Sequence, residues 1–362
     1  MTTDTDIVLT LDTIAIWINR ISPIFSIVFG TFGNFCNIII FTRPILRTNP
    51  CSMYFLAGSF TNLVVIYIAL LTRYLASAWG YDPSATSMVW CKTRYILVYP
   101  PLSLVLWFIV LASIDRYLSS SRNVHFRQCS TVPVAWKIIT IATVLTFLGN
   151  IHVLVFAQTV VSNGTPSCTI LPNEYLVFFN IFVPIATCIL PVVLMGLFGI
   201  LTIINIRTTR TRVIPQENNE RLRANDRQLI IMLLFQVLIT TTLVAPWALI
   251  NMFSAIGVAI LKYKFSPLGQ GIFNFIFNVS RMLYYLTPAV GFYIYTLSAP
   301  KFRHEIKKCF RHGLKFILTG TGIMQYLPAD VQQGFVAENQ RNNVNYSLTR
   351  TRKGFTGHVH QR

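Results

Sequence analysis

Apolar residues run along this chain in blocks long enough to cross a lipid bilayer, with short polar stretches between them. A spanning helix needs about 20 predominantly apolar residues, and seven such windows occur, near 18–41, 53–75, 93–115, 134–158, 175–204, 229–256 and 268–297. The connections are brief. Thr42 to Pro50 is basic and broken by two prolines, the chemistry of a tight turn. The predicted fold class is an all-α membrane protein, a seven-transmembrane helix bundle. After the seventh window, Phe302-Arg303-His304-Glu305-Ile306-Lys307-Lys308-Cys309-Phe310 reads as a short amphipathic eighth helix at the membrane interface. The expected organisation is an extracellular tail over 1–17, the helix bundle over 18–310 and a cytoplasmic tail over 311–362. From about Gly320 that tail is rich in Gln, Asn, Gly, Ser, Thr and Arg and has little to bury, which predicts disorder.

Composition agrees with this pattern. Hydrophobic residues make up 53% of the 362, charged residues only 12%, and the mean hydropathy is +0.56, whereas soluble domains carry about 25% charged residues. A net charge of +18 would suggest nucleic acid in a soluble protein. Here its placement matters more than its size. All but seven of the Lys and Arg lie in the loops after spans 1, 3 and 5 or in the tail; the seven are Arg20, Arg73, Lys92, Arg94, Lys262, Lys264 and Arg281. The positive-inside rule then puts the N-terminus outside and the tail in the cytoplasm, as expected of a multi-pass protein of the plasma membrane whose partners include the bilayer but no nucleic acid. Met1 to Asp12 is polar and acidic without a basic n-region, so the first span is expected to act as the insertion signal.

Seven cysteines are too few and too scattered for a disulfide scaffold or a metal site. Cys36, Cys51, Cys129, Cys188 and Cys309 fall within spans or on the inner side, leaving Cys91 and Cys168 alone in an oxidising compartment. A bridge between them would staple the outer end of span 3 to the loop after span 4; two separate thiols are the alternative. No metal, phosphate-loop or nucleophile constellation occurs, so neither a cofactor nor an enzymatic activity is expected.

The chemistry is concentrated where the third apolar run ends, at Asp115-Arg116-Tyr117. An ionised side chain at mid-bilayer costs at least about 2.5 kcal/mol, so the two charges belong at the water interface, close enough to pair and to part. This triplet resembles the signature closing the third helix of rhodopsin-like, class A G-protein-coupled receptors, and Cys91 stands 25 residues before Arg116, as that family places its third-helix cysteine. Further matches are Gly33-Asn34 in span 1, Trp79-Gly80 in the first outer loop, Trp136 in span 4, Pro191 in span 5, Pro246 in span 6 and the passage Tyr295 to Arg303. The resemblance covers about 20 to 310. It implies a receptor that passes an extracellular ligand's binding energy to a heterotrimeric G protein, with Asp115, Arg116, Tyr117 and Tyr295 as the coupling switch and Pro191, Pro246 and Pro288 as helix hinges.

Several positions depart from that pattern. Asn62 stands where the family usually has a carboxylate, Val244 where it has a tryptophan, with Trp247 one residue after the proline instead, and Gly291-Phe292 where it has Asn-Pro. Pro100-Pro101 inside span 3 removes two backbone donors, so its outer third is expected to be kinked or unwound. Val98 occupies the site at which amine receptors carry an aspartate, and Tyr285 the site of the retinal lysine of visual pigments. A monoamine ligand and an opsin are thereby excluded on chemistry, and overall similarity to invertebrate FMRFamide-like receptors favours a neuropeptide. The expected pocket residues are Arg94, Val98, Trp247, Arg281 and Tyr285, with Arg73 and Lys92 completing a cationic rim for an acidic group; snorkelling to headgroups is the alternative for the outer cations.

Asn163-Gly164-Thr165 offers a glycosylation acceptor on the outer side, Cys309 beside Lys308 a palmitoylation site, and Ser347, Thr349, Thr351 and Thr356 phosphate acceptors in a basic tail. Two rival classes remain. A transporter would need paired inverted repeats or a continuous polar path, and neither is visible. A non-signalling seven-helix decoy is made plausible by Asn62, Val244 and Gly291.

Overall fold

The computed structural model describes residues 3–44, 46–162, 165–210 and 217–321. The glycosylation acceptor Asn163 and the tail sites Ser347, Thr349, Thr351 and Thr356 lie outside the described residues. Seven long helices follow one another: α1 (Thr3–Phe41), α2 (Pro50–Trp79), α3 (Met88–Ser120), α4 (Val132–Asn150), α5 (Asn173–Arg210), α6 (Glu217–Phe253) and α7 (Pro267–Ser298). A hairpin of β1 (Ala157–Ser162) and β2 (Thr165–Ile170) lies between α4 and α5, and α8 (Pro300–Gly320) closes the described chain. The chain divides into a compact unit from Met1 to Arg303 and a second from His304 onward, seven residues before the boundary expected at 310.

Capping chemistry sets the helix starts. Asn49 caps α2 by accepting from the Cys51 N–H at 3.0 Å, with Pro50 in the first helical position, where a missing N–H costs nothing. Ser266 and Pro267 repeat the device at α7. At the other end of α2, Gly80 takes the left-handed conformation, φ +67°, which a residue without Cβ adopts at no steric cost.

Two boundaries differ from the sequence expectation. Residues 3–17 are not a tail but the first turns of α1: Asp4 and Asp6 sit in the opening turn, where carboxylates complement the helix dipole, and Val8 packs against Gly271 at the start of α7. Polarity alone made this stretch look like loop. The connection expected over Arg207–Arg227 is also mostly helical, since the fifth helix runs to Arg210 and α6 starts at Glu217.

Six of the helices are long and apolar enough to cross a membrane. The seventh, α7, has the length, 32 residues, but Gln270, Asn274, Asn278, Ser280 and Arg281 dilute its apolar character. Central α3 is the most enclosed of the spans and peripheral α4 the least. On α4, Ile141, Leu145 and Leu148 are exposed, as are Val193, Leu197, Ile200 and Ile204 on α5. In water such faces would aggregate; in lipid they are the solvated surface. Small residues bring α1 and α7 together: a Cβ on Gly33 would lie 2.8 Å from Phe292 Cβ, and one on Gly30 would lie 2.7 Å from Ile66 Cδ1 and 3.1 Å from Ala289 Cβ, the close backbone approach that membrane helices use in place of a hydrophobic driving force.

Of the two outcomes expected at Pro100-Pro101, a kink or an unwound turn, the second is not found: helix α3 continues through both prolines, which are buried in the bundle, and the surrounding helices hold the backbone where two donors are missing. Three π-helical segments, Val65–Leu70, Ile185–Ile189 and Ser254–Ile260, lie in the half of the bundle that carries the Cys91–Cys168 disulfide. That bridge joins α3 to β2 with Cα atoms 5.6 Å apart and is buried in a cluster with Val153, Ala157, Ile170, Phe179 and Val183.

Gly33→Ala forces Phe292 and the α7 backbone to shift and should destabilise the protein by about 1–3 kcal/mol, the usual cost of overpacking. The check is a lower thermal unfolding midpoint for the detergent-solubilised protein, with no change expected from Gly149→Ala, whose Cβ meets nothing within 4 Å.

Candidate functional site

At the end of α3 remote from the disulfide, Arg116 and Asp115 form an enclosed ion pair. Successive residues on a helix point about 100° apart, so the long arginine side chain folds back to place Nη2 2.6 Å and Nε 3.2 Å from Asp115 Oδ2. The two side chains are only 2% and 5% exposed. The pair is therefore shut inside protein rather than open at the water interface. A buried pair survives only when its remaining hydrogen-bonding capacity is met, and two neighbours meet it: Arg116 Nη2 donates to Asn49 Oδ1 at 3.1 Å, and Ser130 Oγ donates to Asp115 Oδ1 at 2.7 Å. The lock thus joins α3 to the cap of α2 and to the segment leading into α4. The sequence signals neither partner as such: Asn49-Pro50 carries a helix-cap signature within a stretch that reads as a turn, and nothing near Ser130 marks it.

The other residues grouped with this switch do not converge on it. Tyr117 packs on Phe198 of α5, ring centroids 5.6 Å apart. Tyr295 is buried among Phe41, Phe55 and Phe302, with centroids 5.7, 5.0 and 5.7 Å away. On α8, Phe302, Ile306 and Cys309 recur at helical spacing among Arg303, His304, Lys307 and Lys308, and Glu305 meets Lys308 at 3.5 Å. Cys309 is half-buried.

Between the two ends sits a polar joint. Asn34 Nδ2 donates to the Gly30 and Pro288 carbonyls, both at 2.8 Å, and Asn62 Nδ2 donates to Asn34 Oδ1 at 3.0 Å. The hydrogen bonds expected of Asn34 toward neighbouring helices are made. Asn62, in the place of a carboxylate, spends its amide on Asn34, and its own Oδ1 has no hydrogen-bond partner. Pro288 lies within continuous helix, with its carbonyl tied to α1; Pro246 likewise lies inside α6. Pro191 stands two residues after the π segment Ile185–Ile189.

In the disulfide half, a cavity of about 350 Å³ gathers every residue singled out for the pocket, namely Arg94, Val98, Trp247, Arg281 and Tyr285. Cys168 of the hairpin also lines it, so the bridge that holds β2 down helps to shape the wall. Aromatic pairs set that wall. Tyr95 and Tyr99 stack at 5.5 Å with Phe179 edge-on to both, and Trp247 lies flat on Tyr284, centroids 4.8 Å apart and 13° between planes. Trp247 follows Pro246 and Tyr284 precedes Pro288 by one turn; the stack therefore joins α6 to α7 beside a proline on each.

The cations separate into two kinds. Arg94 is engaged, with Nη1 2.7 Å from Ser84 Oγ and 3.4 Å from Asp82. Arg73 and Arg281 line the cavity without a carboxylate. Arg281 donates through Nη2 to Asn278 Oδ1 and lies 5.4 Å from the Phe277 ring centre. Lys92 is not among the lining residues.

Comparison with known proteins bears on this arrangement. Residues 33–295 match the family described as 7 transmembrane receptor (rhodopsin family). A stretch of 104 residues is 33% identical to the G-protein coupled receptor dmsr-1 of Caenorhabditis elegans, covering 26% of this chain and 20% of that receptor.

Asp115→Ala would leave the Arg116 guanidinium enclosed without its counter-charge. Breaking a buried pair in this way costs about 3–5 kcal/mol, so the variant should unfold at a clearly lower temperature than the wild type in detergent, while Asp115→Asn, which still accepts from Ser130, should lose less.

Proposed function

The chain belongs to the rhodopsin family of seven-transmembrane receptors, and from that premise we propose that it transmits the binding of an extracellular neuropeptide to a heterotrimeric G protein at the plasma membrane, N-terminus outside. The observation that carries the reading is the placement of an enclosed, fully engaged Asp115–Arg116 pair and an aromatic-walled cavity at opposite ends of one bundle. The peptide enters from the disulfide side. Its ligand class rests on elimination and resemblance: Val98 and Tyr285, the positions diagnostic of amine and retinal chemistry, both line the cavity and carry neither required group.

The resting form is the one in which Arg116 is held by Asp115 and Asn49. In the active form those contacts part, the ends of α5 and α6 near Arg116 move outward, and the guanidinium faces the transducer. A ligand shifts this balance only by its differential affinity for the two forms. The Trp247–Tyr284 stack is the natural point of contact, because a change there bears on α6 and α7 together, beside Pro246 and Pro288. With Val244 buried in the place of the family's usual tryptophan, Trp247 takes over the ligand-facing position on α6.

Screening a peptide library for a calcium or cyclic AMP response identifies an agonist, and nucleotide exchange on a panel of purified G proteins then tests coupling. Arg116→Gln should cut agonist-driven exchange per surface receptor by at least about tenfold, a coupling loss of the size that allosteric contacts carry. Agonist binding without exchange on any G protein would instead support the decoy, and unchanged exchange in the variant would refute the role given to Arg116.

A further inference from the structure

Of the four cations grouped as pocket or rim residues, Arg73 and Arg281 face the cavity without a salt bridge to a carboxylate. Both Nε atoms are shut off from solvent and lack a hydrogen-bond partner. Among the described residues that line the cavity there is no Asp or Glu. A buried cation is stable when paired and hydrogen-bonded, and a guanidinium offers a planar fork matched to carboxylate. The aromatic rings of Tyr99, Trp247 and Tyr285 give the same space apolar walls, and its volume suits one or two side chains rather than a whole peptide.

We infer that the cavity receives a carboxylate of the peptide ligand between Arg73 and Arg281, with the attached apolar portion against the aromatic wall. The inference rests on the reading of this cavity as the peptide site. Arg94 is not the anion's partner, because Asp82 and Ser84 already hold it. The carboxylate comes from an acidic side chain or from the peptide's C-terminus, two sources that a matched set of probes separates.

The test uses the full-length receptor in nanodiscs and three pools of octapeptides randomised over uncharged residues. One pool is neutral, with a fixed internal Asn and a C-terminal carboxamide; the second replaces Asn by Asp; the third replaces the carboxamide by a carboxylate. Retention is read by mass spectrometry. At least one anionic pool should be retained about tenfold or more above the neutral pool, a difference matching one lost charge-assisted contact, and the pool retained identifies the source. Arg73→Gln and Arg281→Gln should each abolish the preference, while Arg281→Lys should keep part of it. Equal retention of the neutral pool, a preference surviving both Gln variants, or retention of no pool overturns the inference. A second arm needs no ligand: in the empty receptor each Gln variant removes a buried cation that has no salt bridge and should raise the thermal unfolding midpoint, whereas a fall in both would make the arginines structural and overturn the inference. If the neutral pool drives nucleotide exchange equally well in the variants, the carboxylate site falls and the receptor reading stands. If an anionic pool is retained but no G protein responds, the reverse holds.

Discussion

Lipid offers no hydrogen bonds, so each polar group within the bundle must find its partner in the protein. That constraint accounts for where the side chains of this receptor cross-link its helices. Asn34 reaches the carbonyl of Pro288, Asn62 reaches Asn34, and the Asp115–Arg116 pair recruits Asn49 and Ser130. Each contact ties elements distant in sequence, so the polar minority fixes the relative placement of helices whose apolar faces would slide freely against one another or against lipid. Several buried atoms are left without such a partner, and among them the Nε atoms of Arg73 and Arg281 belong to residues that line the cavity.

The same constraint explains which parts of the fold were legible. Runs of apolar residues located every helix, because length and hydropathy are one-dimensional properties. The start of α1 was not legible, since residues 3–17 are polar and are helical through their acidic first turn and the contact of Val8 with Gly271. Helix α7 was found by its pattern although its Asn, Gln and Arg leave it less apolar than the other spans. The prolines at 100 and 101 leave α3 helical, as propensity yields to burial between neighbouring helices.

Within the site, the residues that bear chemistry were readable and their partners largely were not. The cavity gathers the five side chains named from sequence, because helical spacing and resemblance place each at a known height on its helix. The lock on Arg116 extends to Asn49 and Ser130, which lie 67 residues before it and 14 after it in the chain, and no local pattern carries information over that distance. The division of the cations into Arg94, which has a salt bridge, and Arg73 and Arg281, which have none, depends on the three-dimensional position of Asp82.

The three π segments have a consequence for how such a chain can diversify. Each widens a turn by one residue and so shifts the angular phase of everything beyond it by about 100°. All three fall in the half containing the cavity, while the half around Arg116 keeps regular helical phase. A single-codon insertion or deletion at such a turn would therefore present a new set of side chains to the cavity without disturbing the register around Arg116, so that one end of the bundle can vary while the other is kept.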